Sequence, residues 1–271
     1  MNHQIGFIGG GNMAQAIIAG LLKSGRSSSD IIVSDPNPEC RKALSAMGIT
    51  SFQDSTPVMV QTDFVVLAVK PQIMDHVLTG LADSLQETHI IISIAAGITI
   101  RGIRRQLNDA RNPVVRVMPN TPALIGEGMS ALTSDSELDD DIKTAVQTIF
   151  DACGQALWVP NEEAIDAVTA VSGSGPAYFF LMIENLINTG TRLGLSPDVA
   201  RALVIQTAKG AASMVELSDV GPDVLRQRVT SPGGTTEAAL NVFNEGDFAD
   251  LVDRALIAAR DRAGELSKDA P

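Results

Sequence analysis

The chain has 271 residues, 45% of them hydrophobic and 19% charged, which is typical of a globular protein with room for two domains. Its formal net charge of −12 disfavours nucleic acids and anionic membrane surfaces as partners, because like charges repel. No segment reaches the roughly 20 apolar residues of a transmembrane helix, and no signal peptide is recognisable, so we expect a cytoplasmic protein without membrane contact.

Residues that bind metals or form disulfides are scarce. The two cysteines, Cys40 and Cys153, are far apart and fit neither a disulfide framework nor a CxxC motif, which favours a reducing compartment. The three histidines are scattered, and no cluster of histidine, cysteine and carboxylate residues has metal-ligand spacing. The sequence therefore predicts no metal site.

Short apolar runs alternate with helical patterns in the first half of the chain. Strands are predicted at residues 4–8, 31–33, 64–69, 90–95 and 114–118. Helices are predicted near residues 14–22, 38–48, 72–85, 99–107 and 138–153. This alternation predicts an α/β fold with a parallel sheet that is covered by helices on both faces.

The pattern changes after Val159, and no strand is predicted beyond it. Helices are predicted at residues 162–171, 176–193, 197–217 and 248–266. We therefore expect a domain boundary near Pro160, with residues 1–160 forming a dinucleotide-binding domain and residues 161–271 an all-helical domain. Small residues cluster at positions 208–213, which is compatible with packing within the chain or against a second subunit.

A glycine motif follows the first predicted strand and begins the first predicted helix. Gly9 would allow the tight turn, Gly11 the approach of a pyrophosphate to the backbone, and Ala14 the close packing of helix and strand. Free amides at the helix N-terminus and the helix dipole would then hold the phosphates. The alternative is a glycine-rich turn without a ligand.

The residues after the second strand bear on the choice between NAD and NADP. An acid such as Asp35 at this place usually binds the ribose hydroxyls and repels a 2′-phosphate. Ser34 and Asn37 offer hydrogen bonds to a phosphate, and Arg41 or Lys42 could neutralise it. Asp35 could equally be an ordinary turn residue.

Three further strands end in residues that suit a ligand at the carboxyl edge of the sheet. Lys70, in a Val69–Pro71 segment, suits an anion, although it could be a solvated loop charge. Ala95 is small enough for a cofactor ring to lie against the backbone. Asn120, between two prolines, could bind the nicotinamide carboxamide or orient the substrate, or cap its own turn.

Two loops in the helical half carry small polar residues. The loop at residues 172–178 begins a helix and contains Tyr178, the only tyrosine. The loop Ser231-Pro232-Gly233-Gly234-Thr235-Thr236 leads into another helix, where backbone amides and hydroxyls form a nest for a small carboxylate. No histidine neighbours these hydroxyls in sequence, which disfavours acyl transfer.

These motifs together resemble the pyrroline-5-carboxylate reductase family. The matching stretches are IGFIGGGNMA (5–14), AVKP (68–71), SIAAGIT (93–99), RVMPNTP (116–122), IDAVTAVSGSGPAY (165–178) and TSPGGTTEAAL (230–240). The resemblance implies a Rossmann-type domain followed by a helical dimerisation domain, in homodimers that sometimes assemble into decamers. It also implies reduction of L-1-pyrroline-5-carboxylate to L-proline, the last step of proline synthesis, with NADPH favoured over NADH.

The resemblance also implies roles for individual residues. Substrate contacts are expected from Ser231, Gly233, Gly234, Thr235 and Thr236, with Thr236 bonding the ring nitrogen as the catalytic residue. The resemblance implies cofactor contacts from Asn12, Met13, Val69, Lys70, Pro71, Ala95 and Asn120, in addition to those expected above from Gly9, Gly11, Ser34 and Asp35. Glu237 replaces the apolar residue expected after Thr236.

Two other functions are compatible with the glycine motif. A β-hydroxyacid dehydrogenase or imine reductase would place a catalytic lysine four residues after Gly175, where this chain has Phe179. A non-catalytic NAD(P)-binding sensor would bind the cofactor without turning over any imino acid.

Overall fold

The computed structural model of the chain describes residues 3–269, and their side chains as far as residue 267. The first part of the described chain alternates strands and helices. Its strands are β1 (Ile5–Ile8), β2 (Ile31–Ser34), β3 (Thr50–Phe52), β4 (Phe64–Leu67), β5 (Ile90–Ser93), β6 (Val114–Met118), β7 (Gly128–Ser134) and β8 (Gly154–Trp158). Its helices are α1 (Asn12–Lys23), α2 (Pro38–Ala46), α3 (Thr56–Gln61), α4 (Met74–Leu81), α5 (Ile100–Gln106) and α6 (Asp140–Asp151).

The remainder of the described chain is helical. Its helices are α7 (Ala164–Val168), α8 (Gly175–Arg192), α9 (Pro197–Glu216), α10 (Pro222–Arg228), α11 (Thr235–Glu245) and α12 (Phe248–Asp269). A π-helical turn, Thr169–Gly173, joins α7 to α8. None of the helices described in residues 3–269 is both long and apolar enough to cross a lipid bilayer.

The strands form one sheet in the order β3-β2-β1-β4-β5-β6-β7-β8. All neighbouring pairs are parallel except β6 and β7, which are antiparallel. The carboxyl ends of β1, β2, β4, β5 and β6 therefore share one edge. This arrangement confirms the predicted class, a mostly parallel Rossmann-type sheet followed by helices.

Both faces of the sheet are buried, because every residue of β1, β2, β4 and β5 is buried. Successive side chains in a strand point to opposite faces. Phe7 and Val66 therefore pack with Ile17 of α1 and Ile149 of α6 on one face. Val65, Leu67 and Ile91 pack on the other face with residues of α3, α4 and α5, among them Val58, Met74, Leu78 and Ile103.

Three strands were not predicted from the sequence. β3 has only three residues, and β8 is the last strand at one end of the sheet, with alternately exposed and half-buried residues. β7 contains Ser130 and Thr133, which are 1% exposed and weaken the apolar signal of a buried strand. Pairing with a neighbouring strand, rather than apolar periodicity, determines these elements.

The contacts among the described residues divide them into two compact units, and the domain boundary expected near Pro160 stays a prediction. Residues up to Ser174, together with those from Ala259 onwards, belong to the first unit, and Gly175–Ala258 form the second. Residues 161–174 belong to the first unit because they contact it: Glu162 pairs with Arg116 of β6, and the Ser172 carbonyl oxygen accepts a hydrogen bond from Asn120. The assignment of cofactor and substrate to separate domains stays a prediction.

Candidate functional site

The glycine loop between β1 and α1 lies at the carboxyl edge of the sheet. Gly9 has φ +101°, and a Cβ there would lie 2.7 Å from the Ala68 carbonyl oxygen, so only glycine fits. Gly11 is the N-cap of α1 and has no heavy atom within 4 Å of the place where a Cβ would be. No side chain caps the first amides of α1. This end of α1 therefore offers free N–H groups and open space to an anion.

A cleft of about 390 Å³ joins this loop to two neighbouring strand ends. It is lined by Gly11, Asn12, Met13, Ala68, Val69, Lys70, Pro71, Ile94, Ala95 and Ala96. Seven of these ten are among the cofactor residues expected from the sequence. Lys70 is exposed at the rim and supplies positive charge in an otherwise acidic protein. The cleft suits a phosphate-bearing ligand that extends from β1 towards β5.

Asp35 braces the glycine loop from the end of β2. Its carboxylate accepts hydrogen bonds from the Gly10 amide at 2.7 Å and from the Asn37 amide at 2.8 Å. Both carboxylate oxygens thus have partners in the backbone. Ser34 is buried, and its carbonyl oxygen accepts the Gly9 amide at 2.8 Å. These two expected cofactor residues hold the loop in shape.

Arg41 of α2 lies beside the same strand end. Its Nη1 donates to the carbonyl oxygens of Asp35 at 2.7 Å and of Pro36 at 2.8 Å. The Arg41 residue is half-buried. Lys42, the other candidate cation, is exposed. The β2 end therefore carries a cation that is held in place by two backbone hydrogen bonds.

Neither cysteine is poised as a nucleophile. Burial, followed by the neighbouring Asp35 carboxylate, raises the pKa of the Cys40 thiol. Burial raises the pKa of the Cys153 thiol to about 11. Both thiols are therefore protonated at neutral pH, and a thiol is a poor nucleophile. Among the described residues, no group of three or more histidine, cysteine, aspartate or glutamate side chains could hold a metal ion.

Asn120 lies where β6 ends and is 9% exposed. Its Nδ2 donates to the Ser172 carbonyl oxygen at 3.0 Å, and its Oδ1 accepts the Met129 amide at 2.9 Å. Asn120 does not line the cleft described above. Its expected contact with the nicotinamide thus stays a prediction.

The loop before α11 lies in the second compact unit. Gly233 has φ +71°, and the Gly234 amide donates to the Ser231 carbonyl oxygen at 3.0 Å. Gly234 is the N-cap of α11, and no side chain caps it. Thr235 is exposed and Thr236 is half-buried, one and two residues into the helix. The expected substrate residues therefore share one turn of backbone at the start of a helix.

Glu237 engages the same loop. Its Oε2 accepts a hydrogen bond from the Gly233 amide at 2.7 Å. This bond resembles the return half of a capping box, in which a glutamate in the first turn binds an amide that precedes the helix. The carboxylate of the protein thus occupies an amide that the resemblance assigns to the carboxylate of the substrate.

Sequence reasoning did not find the buried ion pair between Arg116 and Glu162. Arg116 Nη1 lies 2.8 Å from Glu162 Oε1, and the Arg116 side chain is only 5% exposed. The same Glu162 oxygen accepts the Ile100 amide at 2.8 Å. An arginine inside the apolar strand Val114–Met118 was the available signal, because a buried charge requires a partner.

Comparisons with known proteins agree with this geometry. A family model for pyrroline-5-carboxylate reductase dimerisation matches residues 162–266, and a model for NADP oxidoreductase, coenzyme F420-dependent, matches residues 4–97. A pyrroline-5-carboxylate reductase from Pseudomonas aeruginosa is 45% identical over 266 residues, which cover 98% of this chain and 97% of that protein.

Solved structures agree as well. A pyrroline-5-carboxylate reductase from Coxiella burnetii superposes with a TM-score of 0.94 at 40% identity, covering 98% of this chain and 99% of that one. A pyrroline carboxylate reductase from Plasmodium falciparum with NADP bound superposes with a TM-score of 0.87 at 31% identity, covering 98% of each chain. This chain therefore belongs to the pyrroline-5-carboxylate reductase family.

Proposed function

We propose that the protein reduces L-1-pyrroline-5-carboxylate to L-proline with NADPH. The observation that best supports this function is a cleft at one edge of the sheet, which is lined by Asn12, Met13, Val69–Pro71 and Ala95. It matches the cofactor residues expected from the family, and the second unit supplies the matching substrate loop. The finer assignments below rest on this function.

The chain fits a dinucleotide. The Gly9 turn and the open Gly11 backbone leave room for a pyrophosphate, and the uncapped amides of α1 can bind it. Lys70 adds positive charge at the rim, and Ala95 leaves space for a flat ring beside the end of β5. Bound NADPH would supply the hydride.

The proposed work of the protein is to bind and aim the substrate. Backbone amides of the loop from Ser231 to Thr236 bind the substrate carboxylate, which fixes the position of the imine carbon. Thr236 Oγ1 forms a hydrogen bond with the ring nitrogen. A hydroxyl is too weak an acid to be the proton source, so the nitrogen is protonated before binding or by water.

The proposed preference for NADPH over NADH rests on Asp35 and Arg41. Each carboxylate oxygen of Asp35 already accepts one backbone amide, so a ribose hydroxyl would share an oxygen with the loop instead of meeting a free one. Arg41 can meet a 2′-phosphate with the guanidinium nitrogens other than Nη1. The phosphate would thus meet a cation, while the acid stays bound to the backbone.

The first experiment measures oxidation of NADPH and NADH by the purified protein with pyrroline-5-carboxylate, together with proline formed. We expect turnover with both cofactors and a higher kcat/KM with NADPH. Arg41→Ala should lower kcat/KM for NADPH by about tenfold or more and leave NADH nearly unchanged. Lys42→Ala is the matched control. Cofactor binding without oxidation would favour the non-catalytic sensor instead.

The catalytic role of Thr236 is tested separately. Thr236→Ala should lower kcat/KM by about tenfold or more, the scale of one hydrogen bond to a charged group. Thr191→Ala is the control, because the Thr191 hydroxyl bonds its own helix at the Ile187 carbonyl oxygen. Unchanged kinetics in Thr236→Ala would remove this residue from the mechanism.

We also propose a homodimer formed through the second unit. Long helices of this unit carry large apolar side chains exposed in the single chain, among them Phe179, Phe180, Leu186, Leu203, Ile205, Met214 and Val242. Such an extent of exposed apolar surface usually marks a contact with another chain. Light scattering after size exclusion would distinguish the dimer from a decamer.

We expect the protein in the cytoplasm, as a reductase that draws on a nicotinamide cofactor.

A further inference from the structure

Asn120 is bound into the fold through both ends of its side-chain amide. Nδ2 donates to the Ser172 carbonyl oxygen at 3.0 Å, and Oδ1 accepts the Met129 amide at 2.9 Å. The residue is 9% exposed. If the amide turned towards a cofactor, these two backbone groups would lose partners in a place that water hardly reaches.

The segment that Asn120 holds is the π-helical turn Thr169–Gly173. Ser172 supplies the carbonyl oxygen, and the Ser174 amide closes the turn by donating to the Thr169 carbonyl oxygen at 2.7 Å. Single π turns inside helices occur frequently at functional sites. This one joins α7 to α8 within a motif that the sequence singled out and the mechanism above does not use.

A second contact, independent of Asn120, holds the same turn. A Cβ on Gly173 would lie 2.4 Å from Cε of Met118, so the glycine backbone packs directly on that side chain. Met118 ends β6, and the chain remains extended at Asn120, with φ −134° and ψ 167°. Residues two apart in an extended chain face the same side. Met118 and Asn120 therefore clamp the turn against the carboxyl edge of β6.

This edge is next to the expected position of the nicotinamide. β6 pairs with β5, and Ala95 follows β5 and lines the cofactor cleft. A turn fixed on the end of β6 would form the neighbouring wall of the reaction site and limit the access of water.

We propose that Asn120 is a positioning residue, which holds the Thr169–Gly173 turn beside the cofactor edge and does not contact the cofactor. The proposal rests on the proposed function, because that function places the nicotinamide and the hydride transfer at this edge of the sheet. Asn120 then acts by holding the Ser172 carbonyl oxygen, and the expected contact with the nicotinamide is not needed.

The first test uses Asn120→Asp, which keeps an acceptor for the Met129 amide and removes the donor to Ser172. We expect the Kd for NADPH, measured by fluorescence titration, to stay within about twofold. We expect kcat/KM for pyrroline-5-carboxylate to fall by about tenfold or more. Hydrogen exchange of the Ser174 amide should become about tenfold faster or more, since the turn loses an anchor.

A second pair of variants tests the turn without changing Asn120. Gly173→Ala should give the same result, an unchanged Kd for NADPH with a lower kcat/KM, because the new methyl group strikes Met118. Adding Met118→Val removes Cε and should restore most of the lost kcat/KM. This rescue keeps the proposal testable if Asn120→Asp does not fold.

Three outcomes decide the question. An NADPH Kd raised about tenfold or more, with unchanged exchange at Ser174, would make Asn120 a cofactor contact and overturn the proposal. Unchanged kinetics and exchange in both single variants would also overturn it. If the wild-type protein does not reduce pyrroline-5-carboxylate, the proposed function fails, whereas Kd and exchange still report whether Asn120 positions the turn.

Discussion

Glu237 places a carboxylate on the amide of Gly233, at the loop proposed to bind the substrate carboxylate. The two carboxylates would compete for the same donor and repel each other. The bond also stabilises the first turn of α11, because acids near a helix N-terminus are favourable. Glu237 therefore keeps the loop in shape at some cost in substrate affinity.

Glu237→Gln should lower the KM for pyrroline-5-carboxylate. The amide side chain keeps an acceptor for Gly233 but removes a negative charge, whose repulsion of the substrate carboxylate is worth about 1 kcal/mol at ~4 Å in water, or roughly fivefold in affinity. Steady-state kinetics would measure KM and kcat, and we expect kcat to change little. Glu245→Gln, at the other end of α11, is the control. An unchanged KM would limit Glu237 to capping the helix.

His89 is a residue whose burial has a consequence for stability. The ring is 0% exposed, and it accepts the Gln86 amide at Nδ1 and donates from Nε2 to the Met59 carbonyl oxygen at 2.9 Å. Burial is the main cause that lowers the pKa of His89 from its ordinary value near 6.5. The folded state thus holds the neutral ring.

The sign of the pH dependence follows from this lowered pKa. Below pH ~6.5 the unfolded chain binds a proton at His89 that the folded chain does not. The free energy of unfolding therefore decreases as the pH is lowered, until the pH reaches the lower pKa of the folded state. We expect a Tm that decreases from pH 7 to pH 5.5, and a smaller decrease in His89→Gln. His76→Gln, at an exposed histidine, should retain the wild-type slope. Equal slopes in all three proteins would contradict this account.

The glycine loop between β1 and α1 combines a positive φ at Gly9 with a close contact to the end of the neighbouring strand β4. Gly9 requires a positive φ, and its Cα faces the backbone of Ala68 at the end of β4. The β1–α1 turn is therefore fixed by a neighbouring strand as well as by its own sequence. This explains why the amides of α1 open into the cleft beside Val69 and Lys70.

Gly9→Ala should weaken NADPH binding by about tenfold or more, because the methyl group strains φ and displaces the Ala68 carbonyl. Titration of cofactor fluorescence would measure the Kd. Gly80→Ala is the matched control, since Gly80 lies within α4 and has no heavy atom near its Cβ position. That variant should stabilise the protein by about 1 kcal/mol and leave the Kd unchanged. A Gly9→Ala protein with native affinity would show that the turn tolerates a side chain.

At the scale of the whole molecule, the second unit exposes more apolar surface than a single chain usually does. Ala200 is 1% exposed, whereas Leu203 is 53% exposed and Phe180 is 62% exposed. The helices of this unit therefore bury only a small part of their apolar side-chain surface within the unit. Their stability should then depend on association with a second copy, as expected for a family with a dimerisation domain.

Dilution by about a hundredfold should lower the Tm measurably, because dissociation is linked to unfolding in such dimers. Scanning fluorimetry at two protein concentrations would measure the shift. Phe180→Asp should shift the protein towards monomers in light scattering. Val60→Asp, at an exposed apolar residue of the first unit, should leave the mass unchanged. A monomer of constant Tm at all concentrations would contradict the proposed dimer.

Much of the fold could be predicted because its signals are local. Strand and helix periodicity located five of the sheet strands and the long helices α8, α9 and α12, and Gly9 and Gly11 marked the loop between β1 and α1. β7 and β8 were not predicted because the buried Ser130 and Thr133 interrupt the apolar pattern of β7, and because β8 alternates exposed with half-buried residues. The sequence pattern also did not indicate that α7 and the end of α12 belong to the first compact unit, because such membership depends on contacts between distant segments.

The kinds of group that this protein offers to a ligand can be read from its sequence, since glycines, small polar loops and a lysine at the strand ends act through their own backbone and charge. The partners of the polar groups follow from the folded structure alone. Asp35 binds backbone amides, Asn120 holds a distant turn, and Glu237 occupies an amide of the substrate loop. The partner of a hydrogen bond is set by which segments meet in space, and residue type alone does not contain that information.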